Sequence, residues 1–309
     1  MLARPEKLLY QGRPLRRARK HGPSYLFILP NYLGVLLFLA FPVVFALCLS
    51  LLQWNGVTAP TWVGLGNFRA LLGDVVFWLS LRNTAVYTVL TVPLGIVLSL
   101  AVASLLNQRV RGLGIFRTAM FIPVVTSALA VAVIWKWIFD FQDGLVNDFL
   151  GLLHLPAVPW LSDPAWAMIG LGIIGVWQNF GLTSIILLAA LQNVPQELLE
   201  AASIDGAAAW SRFRHISVPL ITPAILFVSV TSFISAFQMF AQAYYMTSGG
   251  PDYGTTVMTL LTYQRAFQQN RFGEAAALAY ILFAIIFVVT MAQLRVSRSA
   301  VSSASEFES

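Results

Sequence analysis

Of 309 residues, 58% are apolar and 10% charged, against roughly 45–50% and about 25% in ordinary soluble domains, which excludes a soluble globular domain. The formal charge of +6 belongs to one end: the first 21 residues hold seven basic side chains and one acid, and the remainder balances at twelve of each sign. A nucleic-acid surface, which needs Lys and Arg spread over a folded face, is therefore excluded, and the basic segment fits a place beside anionic lipid. The lone cysteine, Cys48, rules out an intrachain disulfide and leaves the redox compartment unread.

The chain opens with a basic tail over residues 1–23 and then presents six apolar runs, at about 24–53, 83–106, 117–139, 166–191, 218–245 and 274–295. Each is long enough to cross a hydrocarbon core, which takes roughly 20 helical residues. The first far exceeds the roughly 7–15 apolar residues of a secretion signal and no A-x-A site follows it, so it reads as a retained anchor helix. Pro30, Pro42, Pro93, Pro123 and Pro223 fall in or at the ends of runs and are expected to mark kinks. The segments 54–82, 140–165 and 246–273 carry Trp54, Trp62, Trp78 and Trp160 among Gly/Pro turns, with Trp166 at the edge of the next run, as interfacial anchors and short surface helices do. A transmembrane domain over 24–296 and a disordered Ser-rich tail over 297–309 complete the expected organisation.

Short loops rich in Lys and Arg stay on the cytoplasmic side. With both termini inside, that side holds the seven basic residues of the tail together with Arg109, Arg111, Arg117, Arg212, Arg214, Arg295 and Arg298. The outer side holds Arg69, Arg82, Lys136, Arg265 and Arg271 and most of the acids, including Asp140, Asp143, Asp148 and Asp163. The bias sets the orientation: N- and C-termini in the cytoplasm.

The longest inner connection after the tail, residues 192–217, reads as two short helices. Pro195 suits a first helical position and Glu197 the positively polarised first turn. Leu198, Leu199, Ala201, Ala202 and Ile204 supply apolar contacts, and Asp205-Gly206 breaks the helix because glycine accepts a left-handed backbone. A second helix through Ala207, Trp210, Phe213 and Ile216 is expected to stop at Pro219. Such an elbow either lies on the bilayer or presents its small residues, with Glu200 and Asp205, to another protein.

Glu200-Ala201-Ala202, Gly206 six residues after the Glu, Ile216 and Pro219 resemble the cytoplasmic "EAA" signature of binding-protein-dependent ABC importer permeases. Val218 stands where that signature usually has Leu. The segments Val63-Gly64-Leu65-Gly66-Asn67-Phe68 and Thr247-Ser248-Gly249-Gly250-Pro251 resemble the carbohydrate-uptake group, the maltose, lactose and glycerol-3-phosphate class. The resemblance implies an all-α, six-span type I ABC importer permease fold, with coupling helices between spans four and five. It implies that Glu200, Ala201, Ala202, Asp205, Gly206, Ile216 and Pro219 meet ATPase subunits. The partners it implies are a second permease subunit, giving a heterodimer, two ATP-binding cassette subunits, and an extracytoplasmic solute-binding protein. The place is the inner membrane of a prokaryote.

No G-x-x-x-x-G-K-[ST] phosphate cradle accompanies Lys7, Lys20 or Lys136, so ATP and Mg are expected to be used by the partner subunits and no cofactor by this chain. His21, His154 and His215 lack metal-ligand spacing and no nucleophile–base arrangement stands out, so the chain reads as non-enzymatic. The spans are almost free of charge apart from Lys136, for which Asp140 one turn on is the expected partner. That argues against a self-contained proton-coupled carrier, which needs ionisable groups in the membrane.

Uncharged polar residues mark a solute pathway. Ser232, Ser235, Gln238 and Gln242 recur at intervals of three and four on span five, and Trp177, Gln178 and Asn179 lie near the middle of span four. Amides and an indole suit sugar hydroxyls, although the same residues also serve as glue between helices. The family resemblance adds Gly175 and Leu182 on span four and Ala236 and Met239 on span five. The reading is a permease subunit carrying a sugar, oligosaccharide or sugar-like polyol. An amino-acid or peptide importer is the nearer alternative and a stand-alone secondary carrier the more distant one.

Overall fold

The structure is a computed structural model that describes residues 22–108 and 113–305. The basic tail through His21, with Arg109 and Arg111, and the last four residues lie outside the described residues. The chain divides into a unit ending at Leu49 and a second from Ser50 onward. The first is one apolar span: α1 (Gly22–Val35), a wide π-helical turn (Leu36–Ala40) and α2 (Phe41–Ser50). The wide turn comes immediately before Phe41-Pro42, where proline lacks the N–H that regular α-helical bonding would require.

The second unit begins with a hairpin of two two-residue strands, β1 (Leu52–Gln53) against β2 (Thr61–Trp62), the only sheet among the described residues. Then follow α3 (Gly66–Leu72), α4 (Val75–Leu106), α5 (Leu113–Val125), α6 (Ala128–Ile138), α7 (Leu145–Leu152) and α8 (Pro164–Gln192). Past α8 the elbow contains α9 (Gln196–Ile204), α10 (Ala209–Arg212), a π-helical turn (Phe213–Ser217) and α11 (Val218–Leu220). The chain ends through α12 (Thr222–Phe237), a turn at Ala243–Thr247, α13 (Met258–Tyr263), a turn at Gln264–Gln268, and α14 (Phe272–Ser305).

Four helices are long and apolar enough to span a membrane singly, and two bent pairs bring the number to six. The third apolar run is not one rod: α5 and α6 meet at 97°. Pro123 withdraws a donor near the end of α5, the Thr126 hydroxyl donates to Ile122 O at 2.7 Å, and Ser127 starts a new helix with extended backbone. The fifth run, placed at 218–245 with a kink expected at Pro223, is interrupted twice. Its first part belongs to the elbow, bent 68° from α12 at Ile221, and α12 itself ends at Phe237. Pro219 does not stop the second elbow helix. The preceding π-helical turn closes with Val218 N–H on Phe213 O, and the helix continues to Leu220 before the Thr222-Pro223 pair restarts it. Helix α14 continues as helical backbone to Ser305.

Three apolar clusters hold the second unit together, and α4 runs through all of them: Phe77 with Phe233, Met258 and Leu278; Tyr87 with Leu171, Ile174 and Ala236; Ala103 with Leu187, Ile221 and Val228. Its contact with α8 is the most extensive in the fold. Close approach is possible because glycines face the neighbouring helices. A Cβ on Gly172 would stand 2.5 Å from the Leu90 side chain, one on Gly175 would collide with the Tyr87 hydroxyl, and one on Gly181 with the Met120 carbonyl of α5. Small residues at such positions are how helices pack where lipid supplies no hydrophobic drive. The buried threonines of α4 satisfy themselves, Thr84, Thr88 and Thr91 each donating to the carbonyl four residues earlier at 2.8 Å.

The helix ends are pinned by side chains. Asp74 accepts from Val76 N–H at 2.8 Å and pairs with Arg265, which also lies 3.7 Å from Glu274 at the start of α14. Asp163 caps α8 with bonds of 2.9 and 3.1 Å from Ala165 and Trp166. Asn67, in the Val63–Phe68 segment, donates to Ser50 O and Leu52 O at 2.8 and 2.9 Å, stapling α3 to the hairpin. In the Thr247–Pro251 segment Gly249 takes a φ of +89° and the Thr256 hydroxyl donates to its carbonyl.

Gly181→Ala is expected to destabilise the protein by about 1–3 kcal/mol, the usual cost of overpacking, because the obstacle is backbone. A lowered thermal midpoint of the detergent-purified protein checks this; an unchanged midpoint would mean that α5 yields at no cost.

Candidate functional site: an exposed elbow and a polar cavity

The elbow is a built structure. Helix α9 ends at Ile204 and Gly206 adopts φ +82°. The amide of Gly206 donates to Ser203 O at 3.1 Å and that of Ala207 to Ala202 O at 2.9 Å, the paired closure of a Schellman motif. A Cβ at Gly206 would meet nothing within 4 Å, so glycine is required there by backbone conformation and not by space. Arg212 reaches from α10 to Leu199 O at 3.5 Å, tying the two arms together. Glu200, Ala201, Asp205, Gly206 and Pro219 are exposed, and Ala202 and Ile216 half-buried. Three large apolar side chains also stand in the open: Leu198 at 47%, Trp210 at 68% and Ile204 at 87% exposure. An apolar surface rimmed by polar residues marks a protein or membrane contact.

Deeper in the bundle α4, α8 and α12 enclose a cavity of about 260 Å³, closed on one side by the α5–α6 break through Val124 and Ala128. Its polar lining is made of hydroxyls (Tyr87, Thr91, Thr183, Ser232, Ser235) and amides (Gln178, Asn179, Gln242), with no charged side chain. Asn179 donates to Gly175 O on its own helix at 2.9 Å, and Gln242 donates to Gln178 Oε1 at 2.9 Å across the cavity. Such a lining can exchange hydrogen bonds with a neutral hydroxylated molecule and has no group with which to pair an ion.

Of the expected pathway residues, Gly175, Gln178, Asn179, Ser232, Ser235, Ala236, Met239 and Gln242 come together in this cavity, and three do not. Trp177 is absent from the lining and packs edge-on to Trp135 at 5.5 Å. Leu182 is absent from the lining although its neighbour Thr183 belongs to it, and is 46% exposed. Gln238 is exposed because α12 ends one residue before it, so the three-and-four spacing from Ser232 does not continue to it. The sequence reading did not name three polar residues of this lining, Tyr87, Thr91 and Thr183. The signal of the first two was available, since Tyr87 and Thr91 are polar residues one turn apart within an apolar run.

Lys136 and Asp140 do not pair. Helix α6 stops at Ile138, and the Asp140 carboxylate instead accepts from the Gln142 and Asp143 amides at 2.9 and 3.1 Å. Those two bonds to the charged form hold its pKa below the usual carboxylate value. The ring Nδ1 of His215 lies 3.0 Å from Ser211 O, one turn back along the elbow. Among the described residues no group of three or more His, Cys, Asp or Glu side chains could hold a metal ion.

Residues 91–301 match the family described as binding-protein-dependent transport system inner membrane component. The chain is 37% identical to a probable ABC transporter permease protein of Bacillus subtilis over 292 residues, 93% of each chain. It is 35% identical to a lactose transport system permease protein of Rhizobium radiobacter, over 89% of this chain and 94% of that one. In fold it is similar to a chain of a bacterial alginate ABC transporter solved with its alginate pentasaccharide-bound periplasmic protein, at a TM-score of 0.81 and 22% identity over 93% of this chain and 98% of that one.

With Cys48 replaced by Ser, a cysteine at Ser235 is expected to react with a hydrophilic methanethiosulfonate in the purified protein, and a cysteine at the fully buried Ile174 is not. Equal labelling of the two would contradict a water-filled cavity at this place.

Proposed function

The chain belongs to the binding-protein-dependent transport system inner membrane component family, and we propose that it forms one side of the solute pathway of an ATP-driven importer for a neutral sugar, oligosaccharide or sugar-like polyol. Support for the sugar class comes from the uncharged hydroxyl-and-amide cavity and from similarity over nearly the whole length to a lactose permease. An amino acid in its zwitterionic form would find no counter-charge in that lining, and the sugar reading is preferred over the amino-acid or peptide alternative for that reason.

The observation that carries the coupling role is the elbow between α8 and α12, an ordered structure with Ile204 and Trp210 exposed outside the apolar spans. In the proposed arrangement it faces the cytoplasm with both termini, and the segment 192–217 docks on an ATP-binding subunit. ATP and Mg are used there. A second permease subunit, two ATP-binding subunits and an extracytoplasmic solute-binding protein complete the assembly. Closure of the ATPase pair draws the elbows together and the spans rock between inward-facing and outward-facing states. ATP and the loaded binding protein act by favouring one of these states over the other.

Ile204→Asp tests the docking surface with little disturbance of the chain itself, because the side chain is already 87% exposed. It is expected to leave thermal stability unchanged and to reduce co-purification of the ATPase subunits severalfold. Gly206→Val should weaken coupling by a different route, since a left-handed backbone costs an L-residue about 1–2 kcal/mol. Wild-type ATPase recovery and wild-type uptake with both variants would remove the elbow from the mechanism.

A further inference from the structure

The lining of the cavity contains one side-chain bridge between helices, Gln242 Nε2 to Gln178 Oε1 at 2.9 Å. Its placement follows from a break in the chain. Helix α12 ends at Phe237, residues 238–240 leave helical geometry, and helical turns resume at Ala241, one residue before Gln242. The freed Met239 carbonyl accepts from the Thr259 hydroxyl, so the segment that carries Gln242 is held in place by α13. Gln242 is 9% exposed and its amide crosses to the middle of α8.

A primary amide offers two donors and two acceptor lone pairs. The bridge uses one donor of Gln242 and one lone pair of Gln178, and among the described residues no other protein group bonds either amide. We propose that this bridge is the element of the chain that reads solute: a hydroxyl inserts between the two amides, accepting from Gln242 and donating to Gln178. The exchange conserves hydrogen bonds, because a hydroxyl both donates and accepts. A carboxylate or phosphate oxygen accepts only. It satisfies Gln242 but faces the Gln178 carbonyl oxygen with like polarity, and no cation lines the cavity to compensate. An ammonium fails in the opposite sense. Interchanging the amide O and N of both residues reverses the direction of the bridge and preserves the selection. Gln178 and Gln242 thereby discriminate a neutral hydroxylated solute from its acidic derivative. The proposal rests on the permease reading above.

The test uses the complete complex, with its co-purifying permease and ATPase subunits, in liposomes with the binding protein outside. Lactose and maltose are the neutral probes, and lactobionate and maltobionate their acidic counterparts. The binding protein is the same in every arm, so a change between variants reports this chain. Gln242→Met and Gln178→Met keep side-chain length and remove the amide. Each is expected to raise the apparent KM for the neutral sugar about fivefold to tenfold, the loss of one hydrogen bond, with the maximal rate and thermal midpoint held. The double variant is expected to be no worse than the poorer single one, and the preference for neutral over acidic sugar to narrow in all three. A lower thermal midpoint with KM and preference unchanged would overturn the inference and make the bridge helix-to-helix glue, leaving the permease reading intact. Wild-type preference for the acidic probe would overturn it as well. Uptake of none of the four probes by the wild-type complex would contradict the sugar-permease reading itself, and the inference with it.

Discussion

The close approach of α4 to α8 is the constraint on which the rest of the second unit depends. Lipid provides no hydrophobic drive between helices, so the two must gain from contact alone. Gly172 and Gly175 let Leu90, Tyr87 and Thr91 lie directly against the α8 backbone. The threonines of α4 can occupy this interface because their hydroxyls are satisfied along their own helix. Gly175, Tyr87 and Thr91 of this contact also line the cavity, together with Gln178 and Asn179 farther along α8. Packing and cavity thus share residues of the same contact.

The elbow and the cavity are joined by the shortest possible route. Helix α8 lines the cavity and ends at Gln192; the elbow occupies the next residues; α12 begins at Thr222 and lines the opposite wall. In the proposed mechanism a partner that moves the elbow therefore moves both walls together. The sharp bend at Ile221 and the break at 238–240 bracket the stretch of α12 that carries Ser232 and Ser235. The cavity lining carries no acidic or basic side chain, in keeping with the proposed entry of work at the elbow.

Apolar length, small-residue spacing and punctuation by Gly and Pro made most of this architecture legible in the amino-acid sequence. The long helices follow from their apolar runs, and the closure at Gly206 from the one residue type that tolerates its backbone. Chain breaks were harder to read. Residues 238–240 are Gln-Met-Phe, none of them a helix breaker, and the contact at the end of α12 is tertiary: Thr259 from α13 donates to the Met239 carbonyl. Gln238 falls outside the cavity for that reason, and Gln242 lines it in spite of the break. Trp177 was ambiguous because an indole suits a sugar ring and an aromatic cluster equally well, and in the structure it packs on Trp135. Lys136 and Asp140 have helical spacing in a segment where the helix has already ended.

The central claim is that the chain is a passive pathway driven from its elbow by a separate ATPase. The most direct measurement is uptake of a labelled neutral disaccharide such as lactose or maltose into ATP-loaded liposomes, with the permease pair reconstituted either with or without the ATPase subunits and the binding protein present in both. Accumulation only when the ATPase subunits are present is the expected result. Accumulation at the same rate in their absence would contradict it.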